Sequence, residues 1–225
     1  VFVERDVPLR ERKQAKTKVN LAKDFLKSLT KQRYEDISIK SICEKAEVSE
    51  GTFYNYFPQK ADLFNYIISL YYKRNIWETD RKESREDPVK WTEAYFYNIV
   101  NMVIDLGDLS NEIFANMIRE RSKPKKINIS VLEFLYMFPD VKGEWTFDEI
   151  PQEGSREDCL DEITEKIVSK KICKKDIKSQ DMAAYLKSML GGISFLRILY
   201  EDENINDIVK KQLSIFWDGI KNENH

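Results

Sequence analysis

Glycine and proline are scarce, at 7 and 6 of 225 residues, which leaves little material for the many turns of an all-β fold and points to helices throughout. Cysteine is limited to Cys43, Cys159 and Cys173; the odd count, with no Cys-x-x-Cys spacing, fits reduced thiols and argues against a metal cluster. Redox sensing by Cys159 and Cys173 is the alternative to inert buried thiols. The one histidine, His225, stands at the C-terminus, which removes His-dependent catalysis and zinc binding from the fold. No repeat, low-complexity tract or uninterrupted apolar run of membrane-spanning length occurs, and no secretory pattern opens the chain, so the expected location is cytoplasmic. There is no phosphate-cradling glycine loop and no nucleophile placed with a His base, so the reading is of a non-enzyme needing no cofactor.

Charge is plentiful but uneven. The net charge of −2 is unpromising for a DNA partner until it is divided: residues 1–75 hold 15 Lys/Arg against 10 Asp/Glu, and residues 76–225 hold 22 against 29. A basic head on an acidic body suits counterion release at DNA and repulsion elsewhere. Chance asymmetry of a solvated surface is the bland alternative.

The stretch from Ser38 to Leu63 organises the rest. Ser38 is placed to cap a short helix whose Ile39, Ile42, Cys43 and Ala46 share one face, Glu47 falls in a tight turn, and Val48 plugs it from beneath. Ser49 then caps a second short helix, which must be held by Phe53 and Phe57 because so short a helix has little stability alone. Its exposed residues are small or polar: Ser49, Glu50, Gly51, Thr52 and Asn55, with the hydroxyls of Tyr54 and Tyr56 nearby. Two short helices across a tight turn make a helix-turn-helix, and the second is shaped for a major groove. Gly51 allows close backbone approach, Glu50 suits a cytosine amino group, and Asn55 suits adenine or a phosphate. Lys40, Tyr54, Tyr56 and Lys60 complete the expected DNA-binding set, the last three as phosphate contacts that set register. A helical hairpin inside an ordinary all-α core is the competing account.

The run Ala46-Glu47-Val48-Ser49-Glu50-Gly51-Thr52-Phe53-Tyr54-Asn55-Tyr56-Phe57-Pro58-Gln59-Lys60, closed by Leu63, resembles the DNA-binding signature of the TetR family of bacterial transcriptional regulators. The likeness extends over roughly residues 10–65, with Tyr34 and the Ser38-Ile39 pair also in place. Two positions depart from the pattern. Glu47 stands where glycine is usual, so a left-handed turn there costs about 1 kcal/mol, and Gln59 stands where a capping Ser or Asn is common. Neither change removes a DNA-contacting group.

Before this stretch, Val1–Arg12 is a basic arm or a frayed terminus, and Arg10 to Lys31 forms an amphipathic helix through Ala15, Val19, Ala22, Phe25, Leu26 and Leu29. After it, a helix from Lys60 carries Leu63, Phe64, Ile67, Leu70, Tyr71 and Trp77 out of the head until the charged run 79–87. The expected division is therefore 1–60 for a DNA-binding domain and 61–225 for a larger helical domain. In the latter, helices are expected at Val89–Ile104, stopped by Gly107, then Leu109–Arg121, Arg156–Lys171, Ser179–Tyr200 and Asn204–Asn222. The irregular 122–155, with an apolar helical piece at Ser130–Phe138, reads as a lid or a surface excursion.

The fold class expected is all-α: an N-terminal three-helix helix-turn-helix domain followed by a helical ligand-binding and dimerisation domain. Trp91, Tyr95, Phe114 and Met117 are the candidates to line a cavity for an apolar or amphipathic effector, with Glu93, Glu112 or Glu120 as anchors should it be cationic. The resemblance implies a homodimer through the last two helices, for which Leu190, Gly191, Gly192, Phe195, Leu213 and Phe216 are candidates; the glycine pair would allow another backbone to come close. It also implies a repressor that binds a palindromic double-stranded operator, is released by a small molecule, and sits in the bacterial cytoplasm or on the nucleoid. A DNA-bound structural or division-control protein on the same scaffold is the alternative.

Overall fold

The structure, a computed structural model, describes residues 7–120, 127–141, 156–200 and 203–222. Among them are ten α-helices: α1 Leu9–Leu29, α2 Ile39–Lys45, α3 Glu50–Tyr56, α4 Lys60–Lys82, α5 Pro88–Leu106, α6 Asp108–Glu120, α7 Val131–Met137, α8 Arg156–Ser169, α9 Ser179–Leu199 and α10 Ile205–Ile220. The only ladder contact described is one isolated antiparallel bridge, Cys173 to Lys221. The protein is therefore all-α, as its composition suggests.

Local chemistry explains most helix ends. Ser38, Ser49, Asp87, Ser130 and Asn204 each accept a backbone N–H through the side chain at a helix start. Ser130 and Glu133 complete a reciprocal capping box. Gly107, at φ +54°, ends α5 in a conformation that suits glycine. Lys171, at φ +57°, ends α8 similarly, with the Ile172 N–H donating to the Ile167 carbonyl at 3.1 Å. The charged run after Thr79 does not end α4, which continues to Lys82. Thr79 is wholly buried and accepts a hydrogen bond from Asn98, while Lys82 donates to the same Asn98, so these residues face α5 and keep the helix going.

The contacts divide the chain into two units: residues 1–74 with 115–153, and residues 75–114 with 154–225. This differs from a boundary at 60/61, because residues 60–74 of α4 and all of α7 group with the helix-turn-helix. In the first unit, Phe25, Tyr34 and Phe64 form a mutual edge-to-face cluster with centroids 5.5–6.3 Å apart. The α7 segment, expected as a lid or excursion, packs on α1. Its carbonyls and carboxylates are bound by cations of α1 and α4: Lys18 to Glu133, Lys23 to the Tyr136 carbonyl, Lys73 to the Ile129 carbonyl and Arg74 to Asp140. Residues 121–126 and 142–155 of that stretch lie outside the described residues, as do residues 1–6 of the basic arm.

In the second unit α8 packs on α9, and α5 contacts α8, α9 and α10. By length and composition α9 passes as a membrane span, with a mean hydropathy of 1.2, although charged residues interrupt its apolar sequence. Its Lys187 nevertheless pairs with Asp161 of α8, and its Arg197 donates to the Gly107 carbonyl at 2.9 Å. All three cysteines are free and buried. Burial pushes the Cys159 thiol up to about 11.

Two outcomes are expected. Glu47 adopts φ +54° in the turn between α2 and α3, so Glu47→Gly should raise the urea unfolding free energy by about 0.5 kcal/mol, the relief of left-handed strain exceeding glycine's entropic cost. Cys159 is held neutral in the folded state, so its contribution to stability is complete below the ordinary thiol value and lost as pH rises through about 11. Comparison of wild type with Cys159→Ala across that range should show the steeper alkaline decline in the wild type, and equal declines would exclude the thiol as the cause.

Candidate nucleic-acid interface

The interface is built from three short pieces: the tight turn, α3, and the residues that bind the start of α4 to the connection before α2. Seven residues make α3 too short to persist on propensity alone. Two features hold it. The Ser49 hydroxyl accepts the Thr52 N–H at 3.1 Å and lies 2.9 Å from the Thr52 hydroxyl. Phe53, with no exposed surface, packs its ring against Phe57 at 5.8 Å, and Phe57 meets Tyr66 at 5.3 Å. The apolar burden of α3 thus falls on Phe53 and the following Phe57.

What remains points outward. Ser49, Glu50, Gly51 and Asn55 are exposed, Tyr54 is 49% exposed, and Thr52 and Tyr56 are half-buried. A Cβ built on Gly51 would meet only the Ser49 hydroxyl, at an ordinary 3.7 Å, so nothing inside the chain demands glycine there. Lys40 is also exposed, 4.0 Å from Glu44 one turn on. Eight of the nine residues expected at DNA therefore present atoms on the outside of one helix-turn-helix.

Lys60 is different. Its ammonium donates to the carbonyls of Tyr34 and Ile37, at 2.7 and 2.8 Å, and lies 4.3 Å from the centroid of the Tyr34 ring. Burial lowers its pKa, opposed by the carboxylates of Glu35 and Asp36. Two of its three donors are thus committed to the connection between α1 and α2, so it holds that connection against the start of α4 rather than standing out as a phosphate contact. The missing Ser or Asn at position 59 is answered locally too: the Gln59 N–H donates to Asp62 at 3.1 Å. Sequence spacing placed Lys60 correctly but carried no signal that backbone carbonyls lay within its reach.

The residues expected at an effector are only partly brought together. Trp91 and Tyr95 are fully buried and stacked at 5.1 Å. The Trp91 N–H donates to Asp80 at 2.7 Å, Arg85 binds both oxygens of Asp80, and Tyr95 lowers the pKa of the Cys159 thiol against the larger effect of burial. This pair is therefore a packed junction of α4, α5 and α8. Phe114 is half-buried on α6, and Glu93 is half-buried on α5. The side chains of Met117 and Glu120 lie outside the described residues. Composition gave no warning of the buried amide of Asn75, whose nitrogen and oxygen both lack a partner, or of the buried, unpartnered Oε2 of Glu112.

Of the residues expected at a dimer contact, Leu190, Leu213 and Phe216 are buried within the chain and offer little surface to a partner. Helical periodicity identified the apolar face of α10 but could not distinguish an intrachain core from an interface. Phe195 is 52% exposed and Ile215 is 70% exposed, joined by Ile198, Leu199 and Tyr200. A Cβ at Gly191 or Gly192 would meet no heavy atom within 4 Å, so the close approach expected at the glycine pair does not occur inside the chain.

The structural role of Lys60 can be separated from a phosphate role by salt. Lys60→Met should lower the unfolding midpoint and weaken duplex binding while leaving the slope of log K against log salt unchanged, whereas loss of a phosphate contact would reduce that slope by about 0.9.

Comparison with known proteins supplies the context. Residues 26–67 match the family model of bacterial regulatory proteins of the tetR family. No curated protein matches. Among solved structures, a TetR family transcriptional regulator from Chloroflexus aurantiacus J-10-FL has a TM-score of 0.50 at 14% identity, covering 97% of this chain and 96% of its own. A Clostridium perfringens protein assigned as a fatty acid metabolism regulator has a TM-score of 0.51 at 18% identity, covering 91% of this chain and 100% of its own. At such identities the likeness is one of fold. Residues 26–67 thus carry the helix-turn-helix signature of bacterial regulatory proteins of the tetR family, in a chain whose all-α fold is like that of a TetR regulator of known structure.

Proposed function

We propose that the protein is a ligand-responsive transcriptional repressor that binds a palindromic operator as a homodimer. The observation that carries this reading is the polar outer face of α3, where Ser49, Glu50, Gly51, Thr52, Tyr54 and Asn55 stand free of the core that Phe53 fills. Donors and acceptors at the start of a recognition helix are what base edges require, and Tyr56 and Lys40 lie beside them for the backbone. Two copies would place two such helices in successive major grooves. The outward apolar residues of α9 and α10, Phe195, Ile198, Leu199 and Ile215, support pairing of the second unit with its copy.

An effector would act by binding better to a conformer whose recognition helices no longer fit the operator, and it shifts the balance only by that difference in affinity. Helix α4 contributes residues to both units and so is the covalent path for the effect. The unpartnered amide of Asn75 and carboxylate oxygen of Glu112 support an effector with polar groups on an otherwise apolar body.

Fluorescence anisotropy with the palindrome upstream of the protein's own gene should show preference over a scrambled duplex, falling steeply with salt. Thr52→Ala and Asn55→Ala should each cost about 1–3 kcal/mol of that preference. Equal affinity for both duplexes would remove the operator reading. Native mass spectrometry should find a dimer that Ile215→Glu converts to monomer.

A further inference from the structure

Within the first unit a cleft of about 680 Å³ opens between α1, the end of α3 and the segment leading into α7. Its size falls within the range of about 300–1,000 Å³ typical of small-molecule sites. Ala15, Ile129 and Leu132 give it an apolar base. One wall is rigid: Glu133, 5% exposed, pairs with Lys18 through one oxygen and accepts the Ser130 N–H at 2.8 Å through the other. The Lys18 ammonium is further held 4.7 Å from the centroid of the Tyr66 ring. This pair is neutral overall, with both oxygens of Glu133 and one donor of the half-buried Lys18 engaged.

The rest of the lining is not. Glu11, Gln14, Asn55, Tyr56 and Asn128 all face the cleft, and none makes a side-chain hydrogen bond or ion pair among the described residues. Among the described residues of the lining, with Lys18 and Glu133 cancelling, the charge left is the single carboxylate of Glu11. The amides of Gln14, Asn55 and Asn128 each present a donor and an acceptor side by side, which suits hydroxyl groups. An anionic ligand would meet Glu11 unfavourably, and a wholly apolar one would leave these groups without partners.

We propose that this cleft is a second small-molecule site, separate from any effector site in the other unit, and that it takes a small polyhydroxylated amine with its ammonium at Glu11 and its hydroxyls on the three amides. Asn55 and Tyr56 belong to α3, so occupancy is coupled to operator binding; that consequence, unlike the site itself, rests on the DNA-binding function proposed above.

The test uses the full chain without DNA and D-glucosamine as the probe, followed by NMR of the side-chain amides. Saturable shifts at Gln14, Asn55 and Asn128 are expected, with D-glucose binding about tenfold more weakly and Glu11→Gln weakening glucosamine by a similar factor, as loss of one charge-assisted hydrogen bond would. Absence of saturable shifts, equal affinity for glucose, or an unaltered Glu11→Gln variant would each overturn the site. A second arm measures operator affinity by anisotropy with saturating glucosamine against ammonium chloride at equal ionic strength. Unchanged affinity there would overturn the coupling alone, and failure to bind the duplex under any condition would count against the operator reading while leaving the NMR result standing.

Discussion

The structure depends on how a seven-residue helix is kept in place without covering its outer face. Helix α3 cannot stabilise itself, and each large apolar residue added to hold it would cover surface that must stay polar. Concentrating burial in Phe53 and the adjoining Phe57 meets both demands, because Phe53 packs on Phe57 and Phe57 on Tyr66 while the rest of the helix is left to small and polar groups. The cap at Ser49 satisfies the first turn locally, so α3 needs no partner at its outer end. The same economy shows at Lys60, which binds the Tyr34 and Ile37 carbonyls where the chain turns into α2.

Charge acts in a way that a tally by residue number conceals. The first unit is basic, yet Lys18, Lys23, Lys60, Lys73 and Arg74 are all bound to carbonyls or carboxylates of that unit. Four of these hold the α7 segment, and the fifth holds the helix-turn-helix. The cations left outward, such as Arg10, Lys13, Lys16 and Lys31, are fewer than the composition implies and lie on or just beyond α1. Among the described residues, the cations free for a duplex are therefore those of α1 and the helix-turn-helix rather than those of the whole basic half.

Features governed by neighbours along the chain were legible in the sequence. Caps at Ser38 and Ser49 and the stop at Gly107 follow from residue chemistry over four positions, the left-handed turn at Glu47 follows from the family resemblance, and the structure has each of them. Features governed by distant partners were not. Periodicity shows that Leu213 and Phe216 are buried, but not whether the burying surface is this chain or another copy. The aromatic pair Trp91 and Tyr95 resembles a ligand wall until Asp80, Arg85 and Cys159 are seen against it. Likewise the docking of α7 on α1 joins residues over a hundred positions apart, such as Lys18 and Glu133, and no local pattern encodes it.

The two units resolve their apolar surface differently, and this bears on oligomerisation. In the first, Phe25, Tyr34, Phe64, Phe53 and Phe57 turn inward, and Tyr54 is left out with its hydroxyl. In the second, Phe195, Ile198 and Leu199 fall one turn apart on α9 and so share a face, which Gly191 and Gly192 continue with no side chain at all. Within the chain nothing fills the space above those glycines. Gly-Gly in a helix costs about 1 kcal/mol per residue relative to Ala, a cost that intrachain packing here does nothing to offset. A second copy laid along this face would offset it, because the missing side chains let two backbones approach while Phe195 and Leu199 cover each other. The homodimer proposed above, if paired through α9, would account at once for the glycines and for the exposed residues that follow them.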